Sequence, residues 1–200
     1  MKSNNKKRSN NKRLAEIFGT HAVHAALQNP SRKHEKLFIS HHQRKILGKG
    51  IEKLVSDINE LHNKEMFKMF GNESTHQGIV LRTSKLQQPS LQEFIDDTYK
   101  NETDVVVMLD QVTDPNNIGS IMRSCSLFNS KSIIVSNDNA PDVTATMAKA
   151  ASGALESVNY ISVVNLSRAM IQFKKNNYWI YGFDSNKNNN QNINLKMYLN

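Results

Sequence analysis

Residues 105–123 read VVVMLDQVTDPNNIGSIMR. The opening VVVML is a continuous apolar run with no polar alternation, the pattern of a strand buried on both faces of a parallel sheet. Asp114-Pro115 forces a turn. Asn116 or Asn117 is placed to cap a following helix, Gly119 permits close backbone approach, and apolar spacing predicts a helix over 120–128. Open parallel sheets bind ligands beyond the carboxyl ends of their strands. Asn117 from the loop and Arg123 from the helix are therefore expected to face one mouth of the sheet. Arginine offers a planar fork that clamps a phosphate. Asparagine donates and accepts hydrogen bonds without charge, so it can hold a hydroxyl. The pair suits a polyanionic substrate. Spacing alone leaves equally open a cap for Asn117 and a plain surface role for Arg123.

Downstream, 132–136 (SIIVS) reads as a second buried strand, 143–155 as a helix, 160–164 (YISVV) as a strand, 166–175 as a helix with a basic end, and 178–183 (YWIYGF) as a fourth strand. Alternating strand and helix indicate a parallel sheet with right-handed crossovers. The alternation stops at SNKNNNQNIN (185–194), an asparagine-rich stretch without apolar periodicity, so the sheet reads as unfinished. Upstream, 17–27 has helical spacing ended by Pro30, and 36–40 (KLFIS) reads as a strand. Helical spacing returns over 46–61 through Ile46, Leu47, Ile51, Leu54, Val55, Ile58 and Leu61, and 78–83 (GIVLRT) is a further strand. Residues 85–90 are polar and contain Pro89, a linker pattern, and 91–99 reads as a short helix. The expected organisation is a basic arm over 1–13, a small α/β domain over 14–85, a linker with a short helix over 86–100, a second α/β domain over 101–184, and a tail over 185–200.

The charge is uneven. The chain carries a formal net charge of +8, to which Lys2, Lys6, Lys7, Arg8, Lys12 and Arg13 contribute with no acid among them. A polar arm of this kind is expected to be disordered and to suit a polyanion. Six phosphate contacts on single-stranded nucleic acid would give a salt slope of about 4. The bland alternative is a solubilising tail. Cys125 is the only cysteine, which excludes an intramolecular disulfide and a cysteine-based zinc site and fits a reducing cytoplasm. No apolar stretch approaches the roughly 20 residues of a membrane helix, and the arm lacks a secretory signal. Neither a dinucleotide fingerprint nor a P-loop is present.

His41-His42 would point apart and lacks a third ligand, so no metal site is expected. His76 reads as a turn residue, Cys125 as core packing, Trp179 as the core of a buried strand, and Glu156 as a salt-bridge partner.

The segment DPNNIGSIMRS resembles the first motif of the SpoU/TrmH RNA methyltransferases of the SPOUT superfamily, approximately D-P-x-N-x-G-x-x-x-R, whose Asn and Arg fall on Asn117 and Arg123. GTHAVHAAL (19–27), THQGIV (75–80) and KAASGALESV (149–158) are similar to further family segments in the same order. The resemblance implies a ribosomal-protein-like N-terminal domain that binds RNA and a C-terminal α/β domain closed by a trefoil knot. It also implies 2′-O-methylation of tRNA or rRNA ribose with S-adenosylmethionine, a homodimer and a cytoplasmic location. Asn117 would position the ribose. Arg123 would hold a neighbouring phosphate and stabilise developing negative charge.

Two departures are mild: Asn116 stands where many relatives have His, and Asn129 where they have Gly. A third is larger. The family's Gly-Glu-Gly loop and its I-P-M and S-L-N segment, expected after Asp184, are not recognisable. The resemblance is thus to a C-terminally truncated member, with an incomplete or absent knot, no assignable cofactor residue and a curtailed dimer surface. The expected function is a ribose 2′-O-methyltransferase. The alternative is a non-catalytic RNA-binding remnant from a truncated or frameshifted gene.

Overall fold

The structure, a computed structural model, describes residues 14–48, 50–98, 104–138 and 140–183. The expected basic arm, the low-complexity tail and the knot lie outside the described residues.

The chain enters as β1 (Leu14–Phe18) and turns at Gly19, whose φ of 88° suits glycine, into α1 (Thr20–Gln28). The helix expected over 17–27 therefore yields its start to a strand, in which Ile17 pairs with Leu81. After β2 (His34–Ser40), the Ser40 side chain accepts a hydrogen bond from the Gln43 N–H and starts α2 (His41–Leu47). Gly48, at φ 70°, ends it. The long helix expected over 46–61 does not form. A 3₁₀ turn (Ile51–Lys53) and β3 (Ile58–Leu61) follow instead. Ser40 starts the helix earlier than the apolar spacing suggested, Gly48 stops it, and Ile58 gains a parallel partner in Leu37 of β2. Sheet pairing overrides local periodicity here. Next come α3 (Asn63–Phe70), α4 (Glu73–His76) and β4 (Ile79–Ser84). The four strands form a mixed sheet of order β1-β4-β2-β3.

The second half contains α5 (Leu91–Thr98), β5 (Val106–Leu109), α6 (Pro115–Leu127), β6 (Ser132–Ser136), α7 (Ala145–Ala151), a 3₁₀ turn (Ala154–Glu156), β7 (Asn159–Val163) and α8 (Leu166–Lys175). The strands β5-β6-β7 form the expected parallel sheet. The helix expected over 143–155 is shorter. Thr144 caps α7, and Ser152 and Gly153, both at positive φ, close it.

Two expectations fail in this half. Residues 105–109 are not buried on both faces: every residue of β5 is half-buried and Val105 is 57% exposed. Among the described strands β5 has only one neighbour, β6. Residues 178–183 do not form a strand. Tyr178 and Ile180 pack against the core, but Trp179 is 75% exposed, which corrects its assignment as a core residue. The alternation of in and out is that of an extended chain, without the ladder hydrogen bonds that define a strand.

One core joins the halves. Ile17, Leu37, Ile39, Ile79 and Leu81, all on one face of the mixed sheet, cluster with Val23, Ile118, Met122, Ile133, Val135 and Met147. Helices α1, α6 and α7 are thus packed between the two sheets. Phe38, Met66 and Val80 cover the outer face of the mixed sheet. Phe94, Ile95, Ile134, Ile161 and Phe173 cover the outer face of the parallel one. Each such side chain stabilises by about 1.5–3 kcal/mol on burial.

Candidate functional site

The turn after β5 passes through Gln111, held at a left-handed φ of 57°, a conformation that costs a non-glycine residue energy. The Asp114 side chain then accepts a hydrogen bond from the Asn116 N–H at 2.9 Å and caps α6, with Pro115 in its first turn. The cap is therefore Asp114, not Asn116 or Asn117, and the helix begins at Pro115 rather than at residue 120. Asn117 stands on the first turn of α6, not in the loop. Arg123 lies six positions on, which on ideal geometry is about 9 Å of rise and about 240° of rotation. The two side chains leave the helix neither aligned nor opposed. Both are exposed, while Ile118, Gly119, Met122 and Cys125 bury the other side. Among the described residues, neither Asn117 nor Arg123 has a side-chain hydrogen bond or an ion pair. The partial positive charge of the helix start favours a phosphate at this end.

Gly119 permits the close backbone approach expected of it, and the element that approaches is α7. A Cβ there would lie 2.6 Å from the Met147 carbonyl oxygen and 2.7 Å from the Ala150 Cβ. Its bareness lets α7 approach α6. The other motif segments also serve packing. The Gln77 side-chain oxygen accepts the Thr20 N–H at 3.0 Å, and Gln43 donates to both Thr20 Oγ1 and the Gln77 carbonyl. His76 is buried, and its Nδ1 accepts the Gly78 N–H, a turn residue as expected. A Cβ on Gly153 would meet that of Ala25 at 2.9 Å, across the halves. Cys125 is buried in the core, where desolvation pushes its thiol pKa up.

His41 and His42 are exposed, His41 bonded to Glu60, and the described residues contain no cluster of metal-ligating side chains. Glu156 forms the expected ion pair: its carboxylate takes Arg32 Nε and Nη2, both at 2.8 Å, and Asn29 Nδ2 at 2.7 Å.

Two hollows lie elsewhere. One, of about 160 Å³, is lined by Glu16, Arg32, Lys85, Gln88, Asp142 and Thr144. The other is an open groove of about 1130 Å³ at the junction of the halves, bordered by Lys33, Lys85, Gln87 and Asn159. Neither touches Asn117 or Arg123.

Residues 104–199 match the SpoU rRNA methylase family, and residues 17–89 match the family of RNA 2′-O ribose methyltransferase substrate-binding domains. The 23S rRNA (guanosine-2′-O-)-methyltransferase RlmB of Escherichia coli is 33% identical over 169 residues, covering 83% of this chain and 70% of RlmB. The chain belongs to the SpoU family of RNA methylases. An uncharacterized tRNA/rRNA methyltransferase of Synechocystis is 31% identical over 172 residues, and the SpoU-family chain spans 44% of its length. Solved structures agree on the fold. A TrmH-family protein from Porphyromonas gingivalis superposes with a TM-score of 0.62 at 18% identity, over 96% of this chain and 72% of that one. AviRb from Streptomyces viridochromogenes, solved with AdoMet, gives 0.60 at 17%, over 88% and 64%. The SPOUT α/β fold expected from the motifs is thus the fold of this SpoU-family chain.

Proposed function

We propose that the protein is an S-adenosylmethionine-dependent RNA ribose 2′-O-methyltransferase acting on tRNA or rRNA, with Asn117 and Arg123 at its reacting end. The observation that carries this reading is the motif helix: α6 follows a parallel strand and leaves an unengaged amide and an unengaged guanidinium on its exposed side. Residues 14–85 would present the RNA, 86–100 join the halves, 101–184 carry the site, and the arm over 1–13 add charge attraction. A homodimer and a cytoplasmic location complete the reading. No helix among the described residues is long and apolar enough to cross a membrane.

S-adenosylmethionine supplies the methyl group when bound. The two hollows described above lie away from the motif helix, and no residue is assigned to the donor. The chain's own part can be derived. The ribose 2′-hydroxyl must give up its proton, here to bulk water, as its oxygen attacks. The Asn117 amide oxygen can accept that O–H and fix the lone pair's direction. The Arg123 guanidinium, acidic only above about pH 12, cannot take the proton. It can hold the adjacent phosphate and oppose the charge that builds on the oxygen.

The test is transfer of labelled methyl groups to tRNA and rRNA transcripts, with nuclease digestion to locate the label on ribose. Arg123→Ala should lower kcat by about 10²–10³-fold, the range for losing a charge-stabilising donor. Calorimetry that gave no heat with millimolar S-adenosylmethionine would remove catalysis and leave the RNA-binding alternative. Sedimentation velocity decides the dimer.

A further inference from the structure

The groove between the halves is polar, basic and unexplained by the motif helix. Ser84 N–H donates to the Lys33 carbonyl at 2.9 Å, and Lys33 N–H donates to Ser84 Oγ at 2.9 Å. These two bonds fix Lys33 against the end of β4 and place Lys85 beside it. Both lysines are exposed, and among the described residues neither joins an ion pair. The one carboxylate on the groove lining is Glu156, whose oxygens already accept from Arg32 and Asn29. Two neighbouring lysines thus border the groove without an ion-pair partner among the described residues, Lys85 also bordering the hollow lined by Glu16 and Asp142. Around them stand neutral hydrogen-bonding side chains, Ser31, Gln87, Ser157 and Asn159. An open groove with exposed lysines and neutral donors fits a phosphodiester backbone better than a small ligand.

We infer that this groove binds the backbone of RNA flanking the modified nucleotide, with Lys33 and Lys85 contacting phosphates. The inference rests on the function proposed above and locates part of its substrate path. Ser126 of α6 and Ser157 on the groove lining are linked hydroxyl to hydroxyl at 3.3 Å. Ser126 is nine residues past Asn117, about 14 Å along the helix. One nucleotide cannot occupy both places, so the groove takes its neighbours. Because the lining comes from both halves, the contact also couples the substrate-binding half to the half that carries Asn117.

The test uses the full chain and fluorescein-labelled tRNA and rRNA transcripts, with affinity measured by anisotropy across a KCl series. Lys33→Ala with Lys85→Ala should lower the slope of log affinity against log salt by about 1.4, at about 0.7 per phosphate contact. The comparison variant, Lys64→Ala with Lys68→Ala, removes equal charge from α3, which packs through Met66 on the outer face of the mixed sheet. It should leave the slope unchanged. An unaltered slope in the groove variant, or an equal fall in both variants, overturns the groove and leaves the methyltransferase reading standing. Absence of RNA binding by the unaltered chain overturns both. Thermal melts confirm folding, and all four lysines are exposed.

Discussion

His34 opens β2 with its ring Nδ1 3.1 Å from Thr83 Oγ1. Burial lowers its pKa below the usual 6.5, and the nearby Arg32 adds to the lowering, against an opposing hydrogen bond to the Leu27 backbone and the field of Glu156. The folded protein therefore binds this proton less readily than the unfolded chain. Stability from a neutral His34 is present above about pH 6.5 and declines as pH falls through that value towards the lower folded pKa. His34→Gln keeps a hydrogen-bonding group and does not titrate. Its urea midpoint should fall less between pH 7 and pH 5 than that of the unaltered protein. Parallel pH profiles would show that His34 is not responsible. At the motif, the letters proposed Asn117 and Arg123, and the structure leaves both exposed on α6. The letters did not say that Asp114 would win the capping position. Asn116 and Asn117 were the expected caps and Asp114 only a turn residue, and the choice belongs to backbone geometry rather than to composition.

At the level of elements, the contact between α6 and α7 depends on Gly119. Gly119→Ala would gain at most about 1 kcal/mol of helix propensity. It would also press a methyl group to 2.6 Å from the Met147 carbonyl oxygen and 3.0 Å from the Ala151 nitrogen. Backbone atoms cannot rotate away, so overpacking of about 1–3 kcal/mol prevails. The variant should unfold at lower urea, and methyl transfer should fall because α6 carries Asn117 and Arg123. A midpoint at or above that of the parent would show that α7 can shift freely. The elements best read from sequence were those with a single dominant signal. SIIVS became β6, and the helix over 166–175 formed as read, capped by Asn165. The failures had competing signals. The apolar spacing over 46–61 continued through two glycines, and β3 was claimed by pairing with a strand that begins more than twenty residues earlier. YWIYGF carries strand composition, but a strand also needs a hydrogen-bonded neighbour, and composition does not contain one.

For the whole molecule, the polar stretch around Pro89 is the expected boundary between two α/β halves. The closeness of their union could not be read there, because the residues that join them are more than a hundred positions apart. Arg32 is the centre of that union. Its side chain is 2% exposed, bonded through Nε and Nη2 to Glu156 and through Nη1 to the Ser84 carbonyl at 2.7 Å. Two buried charges gain little net stability over apolar residues of equal size, since desolvation offsets their attraction. What they do is forbid partial separation, because either charge left alone is expensive. Glu156→Ala should therefore destabilise by about 3–5 kcal/mol, stranding the guanidinium and the Asn29 amide. Arg32→Met combined with Glu156→Leu should recover much of that loss. Urea denaturation of Arg32→Met, of Glu156→Leu and of the double variant gives the coupling. The double variant should also show faster amide exchange at the junction, along residues 84–88, than a parent matched for stability. Additive effects, with the double variant as unstable as the two singles summed, would mean that the pair does not act as one unit and that the shared apolar core alone holds the halves in register.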